Sequence, residues 1–127
     1  MLLKPKNEID QWKNLSLNCC ASKELRILCT GALTDYITLK FVKLGPIVIV
    51  SMETFLFTAD ASGSIDAAAG SIPEELATNV SHANTCRSHS IDFKTNGAFN
   101  IYQGYANHFV GGTAYPLYAY FCTYTTN

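Results

Sequence analysis

Two polar tracts in the second half of the chain hold the residue types most often used in chemistry. The first tract, residues 81–89, reads SHANTCRSH and places Cys86 between two histidines. A thiol beside imidazoles could act as a nucleophile with its base or as a set of metal ligands. Catalytic partners usually converge from distant segments, and ligation at this spacing would need a helix that the sequence does not predict. We therefore predict a non-enzymatic protein with no metal and no cofactor.

The same residue types fit the recognition of saccharides. Such sites combine aromatic faces for sugar C–H surfaces with planar polar side chains for paired hydroxyl groups. A second tract, residues 103–108 (QGYANH), offers an aromatic ring beside an amide and an imidazole. The sequence predicts seven ligand-binding residues: His82, Asn84, Arg87, His89, Tyr105, Asn107 and His108. The alternatives are a solvated loop for the first tract and, for the second, a connecting loop that tucks Tyr105 and Phe109 into the end of a barrel.

The stretch between the two tracts, residues 90–102, predicts a β-hairpin with a specific register. A two-residue turn at Asn96-Gly97 would divide the apolar residues between the two faces of the hairpin. A three-residue loop over residues 95–97, with the glycine in the left-handed conformation, places them on one face. The predicted cross-strand pairs are Phe93 with Phe99 and Ile91 with Ile101.

The rest of the chain from residue 14 onward has a pattern of short strands and turns. Residues 35–43 alternate, with Ile37, Leu39 and Phe41 predicted to face the core. Residues 47–57 and the last strand, residues 114–125, are apolar on both faces. Because a two-layer sandwich buries only one face of each sheet, we expect neighbouring copies to cover the other, in a closed homo-oligomer lined by the tyrosine-rich last strand. The alternative is that these tyrosines are outward-facing strand formers.

Length and composition limit the class of protein. The chain has 127 residues, 48% of them apolar, which suits one folded domain with its own core. Residues 1–43 carry seven Lys/Arg against four Asp/Glu, and residues 44–127 carry two against six, so no basic stripe is available for nucleic acid. No stretch approaches the roughly 20 apolar residues that span a bilayer, and the charged start does not resemble a secretory signal. We expect no nucleic-acid binding, no membrane insertion and no cleaved signal.

The cysteines do not form a recognisable metal or disulfide pattern. There are five of them, an odd number, and none has the CxxC spacing of zinc or redox sites. We expect buried thiols that pack as small apolar side chains. A cross-strand pairing of Cys29 stays open.

Four stretches occur in an order and spacing that resemble a known family. They are FVKLGPIVIV at residues 41–50, SIPE at residues 71–74, the hairpin at residues 90–102 and TYT at residues 123–125. Together they resemble the C-terminal head domain of receptor-binding proteins on tailed bacteriophages, notably those that infect lactococci and related Gram-positive hosts. The resemblance covers about residues 30–127, and a related viral fibre head fits the same stretches.

This resemblance implies an all-β fold, an antiparallel β-sandwich or jelly-roll-like barrel assembled as a homotrimer. Residues 14–127 would form the head, and residues 1–13 a short helical or extended neck. Heads of that family bind host cell-surface polysaccharide without catalysis, and the N-terminus joins other tail or fibre proteins of the virion. We therefore expect a viral attachment head at a tail tip or fibre, assembled in the host cytoplasm.

Two other functions remain open from the sequence. A structural capsid or fibre subunit would work through its oligomeric interfaces alone. A TNF-like or complement-like signalling trimer would share the architecture but would normally be secreted. Binding to saccharide separates the attachment head from the structural subunit.

Overall fold

The computed structural model describes the backbone of residues 20–86, 89–104, 107–117 and 120–127. Within these ranges it describes every side chain except those of residues 20, 21, 82, 84–86 and 120. The predicted neck, residues 1–13, therefore lies outside the described residues.

Short antiparallel strands make up the described fold. The strands are β1 (Cys20–Leu28), β2 (Thr30–Gly31), β3 (Tyr36–Leu44), β4 (Ile47–Met52), β5 (Phe55–Thr58), β6 (Ile65–Ala67), β7 (His82–Cys86), β8 (His89–Phe93), β9 (Phe99–Tyr102), β10 (Ala114–Leu117) and β11 (Tyr120–Thr125). Within the described residues, the one helical element is a 3-10 turn at Glu74–Leu76. All of the strand pairings are antiparallel. The predicted antiparallel all-β class is confirmed.

The strands form a sandwich-like arrangement around one core. A four-stranded sheet has the order β1-β3-β4-β11, a five-stranded sheet has the order β2-β6-β9-β8-β7, and β10 pairs with β5. The ring of Phe93 in the five-stranded sheet lies 5.0 Å from the ring of Tyr124 in the four-stranded sheet, measured between centroids. Both side chains are buried, so the inner faces of the two sheets share one hydrophobic core.

The predicted register of the β8–β9 hairpin is confirmed. Phe93 pairs with Phe99 and Ile91 pairs with Ile101, and all four side chains are buried. Gly97 has a φ of +84°, the left-handed conformation that the three-residue loop requires. The alternation in β3 is also confirmed, since its odd-numbered residues at positions 37, 39 and 41 are buried.

Two backbone hydrogen bonds fix the tip of this hairpin to the segment that precedes the 3-10 turn. The N–H of Gly70 donates to the carbonyl of Asn96 at 2.8 Å, and the N–H of Ile72 donates to the carbonyl of Gly97 at 3.0 Å. A Cβ atom at position 97 would overlap the carbonyl oxygen of Ile72. Glycine is therefore required at this position by its backbone conformation and by the close approach of a second backbone.

The two strands predicted to be apolar on both faces are each divided in two. β4 pairs with β11, and β5 pairs with β10. The register is the same on both sides of the break, because Met52 pairs with Tyr120 and Phe55 pairs with Leu117. The buried positions change parity across the break. In β4 and β11 the buried residues are even-numbered. In β5 and β10 they are odd-numbered, since Phe55 is partly buried and Leu117 is fully buried.

This change of buried face accommodates most of the apolar residues within a single chain. Tyr124 is 5% exposed, and its hydroxyl donates to the carbonyl of Leu76 at 2.6 Å, so it is enclosed without a neighbouring copy. Its burial also raises the pKa of Tyr124 above its usual value. The large apolar side chains left exposed on the outer face of the four-stranded sheet are Leu44, Ile47 and Phe121 and, at the other end of β1 and β3, Leu28 and Tyr36. The expected oligomer therefore draws its support from exposed side chains on this face and not from Tyr124.

Replacing Gly97 by alanine is expected to destabilise the fold more than replacing Gly45. Both glycines have positive φ, so alanine costs about 1–2 kcal/mol at either position. A Cβ at position 45 meets no atom within 4 Å, whereas a Cβ at position 97 overlaps the backbone of Ile72. We expect a loss of about 3 kcal/mol or more for Gly97→Ala, measured by urea unfolding followed by circular dichroism. Equal losses for the two variants would contradict the docking of the hairpin tip.

Candidate functional site

The structure brings the two polar tracts together at the start of β8. Nδ1 of His89 lies 2.9 Å from the carbonyl oxygen of Gln103, and because a carbonyl only accepts, this nitrogen carries the proton. The hydroxyl of Ser90 donates to the carbonyl of Gly104 at 3.2 Å. His89 and Ser90 are both buried. Two side chains from the β8 segment thus hold the backbone of the segment that follows β9.

The loop that follows β9 presents polar side chains to solvent. The N–H of Gln103 donates to the carbonyl of Asn107 at 2.9 Å, which closes the loop. Asn107 and His108 are exposed, and the His108 ring packs edge-on against the ring of Tyr102 with centroids 5.9 Å apart. Phe109 is fully buried. For this residue the structure agrees with the alternative prediction, in which a connecting loop tucks Phe109 into the end of the fold. We call the surface formed by Tyr102, Gln103, Asn107 and His108 the loop end.

The other predicted site residues are placed only in part. His82 and Asn84 lie on β7, where they pair with Phe93 and Ile91 of β8. The structure describes the backbone of these two residues and not their side chains. Arg87 and Tyr105 lie outside the described residues. The predicted side chains whose positions are described are those of His89, Asn107 and His108. Of these three, Asn107 and His108 face solvent, and His89 lies in the core beside the loop.

The electrostatic state of His89 follows from its burial. Burial lowers the pKa of His89 below its usual value of 6.5, and backbone hydrogen bonds at Gln103, Tyr102 and Pro116 act in the opposite direction. The net shift is downward, which favours the neutral ring. A neutral ring with its proton on Nδ1 supports the loop end through its hydrogen bond to the carbonyl of Gln103.

A second concave surface, which the sequence analysis did not identify, opens where the β4–β5 strand bends away from β3. The pairing of β3 with β1 reaches Tyr36, whereas its pairing with β4 stops at Lys40, opposite Ser51. Residues 36–39 therefore have a partner strand on one side only among the described strands. A groove of about 770 Å³ occupies the open side, and we call it the β3 groove.

The β3 groove is lined mainly by polar side chains with two aromatic rings. Its lining residues are Glu24, Tyr36, Ile37, Thr38, Lys40, Ser51, Met52, Glu53, Thr54 and Phe55. A possible signal in the sequence was the polar pair Glu53-Thr54, which interrupts an otherwise apolar run at the position of the bend. Two adjacent polar residues in such a run indicate that the strand leaves the sheet there.

Cys29, whose pairing the sequence left open, is a buried free thiol in this structure. Burial, and then the nearby charge of Asp66, raise the pKa of the Cys29 thiol to about 12. The sulfur lies 3.7 Å from the carbonyl of Ile27, as a weak donor to it. Cys29 therefore packs as a small apolar side chain, as predicted.

No protein-family model matches the chain, and no curated protein matches it. Among the described residues, no group of three or more His, Cys, Asp or Glu side chains is arranged to hold a metal ion. The helical part of the described chain contains no segment long and apolar enough to cross a bilayer.

The burial of His89 is expected to make stability depend on pH. The unfolded chain takes up a proton on this ring near pH 6.5, whereas the folded chain resists protonation until a lower pH. The contribution of the buried neutral His89 to the free energy of unfolding is therefore fully present above about pH 6.5 and is lost as the pH falls. Urea unfolding at about pH 7.5 and about pH 5 should show a weaker pH dependence for His89→Gln than for the wild type.

The matched control for this measurement is His108→Gln, which removes an exposed ring. It should keep the pH dependence of the wild type, because that dependence is assigned to the buried ring. If His89→Gln instead keeps the full difference between the two pH values, the burial of a neutral His89 is wrong.

Proposed function

We propose that this chain is the head of a viral attachment protein, a non-catalytic module that binds host cell-surface saccharide. The observation that carries the proposal is the joining of the two polar tracts through His89 and Gln103. It places the polar residues of the loop end on a support that is buried and hydrogen-bonded. A supported loop loses little conformational freedom on binding, which favours affinity.

The loop end supplies the groups that a saccharide requires. The amide of Asn107 both donates and accepts, the ring nitrogens of His108 can also form hydrogen bonds, and both side chains are exposed. The partly buried ring of Tyr102 lies next to His108 and offers apolar surface for sugar C–H groups. From the sequence we also assign Arg87 and Tyr105 to the proposed site.

The proposal includes a homotrimer of jelly-roll-like heads, carried by a neck at residues 1–13 that joins other tail or fibre proteins of the virion. Support for self-association comes from the outer face of the four-stranded sheet. Phe121 is 64% exposed, and Ile47 and Leu44 are 44% and 39% exposed on the same face. Association of copies removes such side chains from water, and several weak sites held together give avidity.

A structural capsid or fibre subunit is the second candidate. The same three exposed apolar residues favour it, because a structural subunit needs interfaces and no ligand. The two candidates differ in one observable property, the binding of saccharide by the folded protein.

The binding test compares the wild-type protein with a loop-end variant on a glycan array and on host cell walls. The double variant Asn107→Ala/His108→Ala should bind at least about tenfold more weakly, the equivalent of one or two lost hydrogen bonds. Its melting temperature should stay unchanged because both side chains are exposed. Asn127→Ala, which removes an exposed amide outside the two tracts, is the control. A wild-type protein that binds no saccharide while remaining oligomeric would leave the structural subunit as the function.

The oligomer is tested by light scattering. The wild-type protein should have three times the 13.9 kDa mass of one chain, and Phe121→Asp should reduce this mass to that of one chain. Leu56→Asp is the matched control, because Leu56 is 80% exposed on β5, away from this face. A wild-type mass of 13.9 kDa would exclude the trimer.

A further inference from the structure

The β3 groove has the donors and acceptors that sugar hydroxyl groups need. Thr38 and Ser51 contribute hydroxyls from its floor, Glu24 and Glu53 contribute carboxylates, and Lys40 contributes an ammonium group. A sugar hydroxyl both donates and accepts, so a lining that mixes these groups can satisfy several hydroxyls at once. An apolar ligand would leave the same groups without partners, which disfavours it.

The charges of the groove largely offset one another. Glu24 and Lys40 lie directly opposite each other on β1 and β3, and side chains at such positions interact across the strands. Glu53 is the remaining charged residue of the lining, and the guanidinium of Arg26 lies close to the groove at Tyr36. A surface without a strong excess of one charge favours a neutral ligand over an acidic one.

An aromatic ring stands at the end of the groove in a defined orientation. Tyr36 is 47% exposed, and the guanidinium carbon of Arg26 lies 4.3 Å from the centre of its ring. This cation–π contact orients the ring while leaving much of it open to solvent. Such a ring can pack against the C–H face of a sugar. Phe55, on the other wall, is partly buried and adds apolar surface.

The groove also exposes main-chain groups. Residues 36–39 of β3 pair with β1 on one side, and no described strand pairs with them on the side that faces the groove. The N–H of Tyr36 donates to the carboxylate of its neighbour Asp35 at 2.7 Å, and the remaining N–H and C=O groups on that side need partners from a ligand or from water. A row of alternating donors and acceptors suits a linear chain of sugars more than a single compact one.

We infer that the β3 groove is a saccharide-binding site, separate from the loop end, for a short, linear, neutral oligosaccharide. The volume of about 770 Å³ lies within the range of pockets that hold ligands of this size. The inference depends on the proposed function, because it assumes that the chain binds saccharide. It adds the place of binding and the class of sugar.

The test measures single-site affinity by calorimetry with a panel of neutral linear hexose oligosaccharides. Tyr36→Ala and Glu53→Gln should each weaken binding by at least about tenfold. The controls are Val80→Ala, which truncates an exposed apolar side chain that does not line the groove, and Glu74→Gln, which neutralises an exposed carboxylate on the 3-10 turn. Both control variants should bind as the wild type does.

Amide chemical shifts of the wild-type protein provide a second measurement that needs no variant. Titration with the same panel should shift the amides of Thr38 and Thr54. Shifts confined to residues 103–108, or groove variants that bind as tightly as the wild type, would overturn the inference and leave the proposed function in place. A wild-type protein that binds no member of the panel but does bind acidic or branched glycans would overturn the sugar class, and one that binds no glycan at all would overturn the proposed function as well.

Discussion

The fold depends on one constraint, the shared register of the β4–β5 and β10–β11 strands across their common break. Because Met52–Tyr120 and Phe55–Leu117 belong to the same register, the two strands must change sheet together. The change of parity lets one pair of strands bury its even-numbered residues in the four-stranded part and its odd-numbered residues in the two-stranded part. The core and the β3 groove are both products of this bend, since β3 continues straight where β4 leaves it.

The bend also reduces the apolar surface that neighbouring copies would have to cover. Strands that are apolar on both faces would require cover on both faces if each lay in one flat sheet. A strand that changes its buried face satisfies much of this requirement within one chain, as the enclosure of Tyr124 shows. On the four-stranded sheet the large apolar side chains still exposed are Leu28, Tyr36, Leu44, Ile47 and Phe121, all on its outer face. A proposed contact between copies is therefore limited to the outer face of one sheet.

The sequence predicts some parts of this structure well because local rules decide them. The register of the β8–β9 hairpin follows from the parity of its apolar residues and the left-handed glycine, both of which lie within 13 residues. The break at Glu53-Thr54 was missed because alternation cannot distinguish a strand apolar on both faces from one that changes its buried face. The position of His89 depends on Gln103, 14 residues away, so the tract alone could not show that this ring is buried. The β3 groove is a property of three strands together, so the polar pair Glu53-Thr54 indicates the break in the strand but not the groove beside it.

The pairing of β4 with β11 has a consequence for the newly made chain. β4 is an inner strand only when residues 120–125 are in place, and β5 finds its partner only in residues 114–117. While the chain is being translated, the β4 edge that β11 later covers is open, and an open edge of Val and Ile is a template for association with other chains. The polar pair Glu53-Thr54 limits the length of this exposed apolar edge. Closure of the sandwich therefore waits until residues 114–125 have left the ribosome, and the nascent chain benefits from being kept apart from other copies until then.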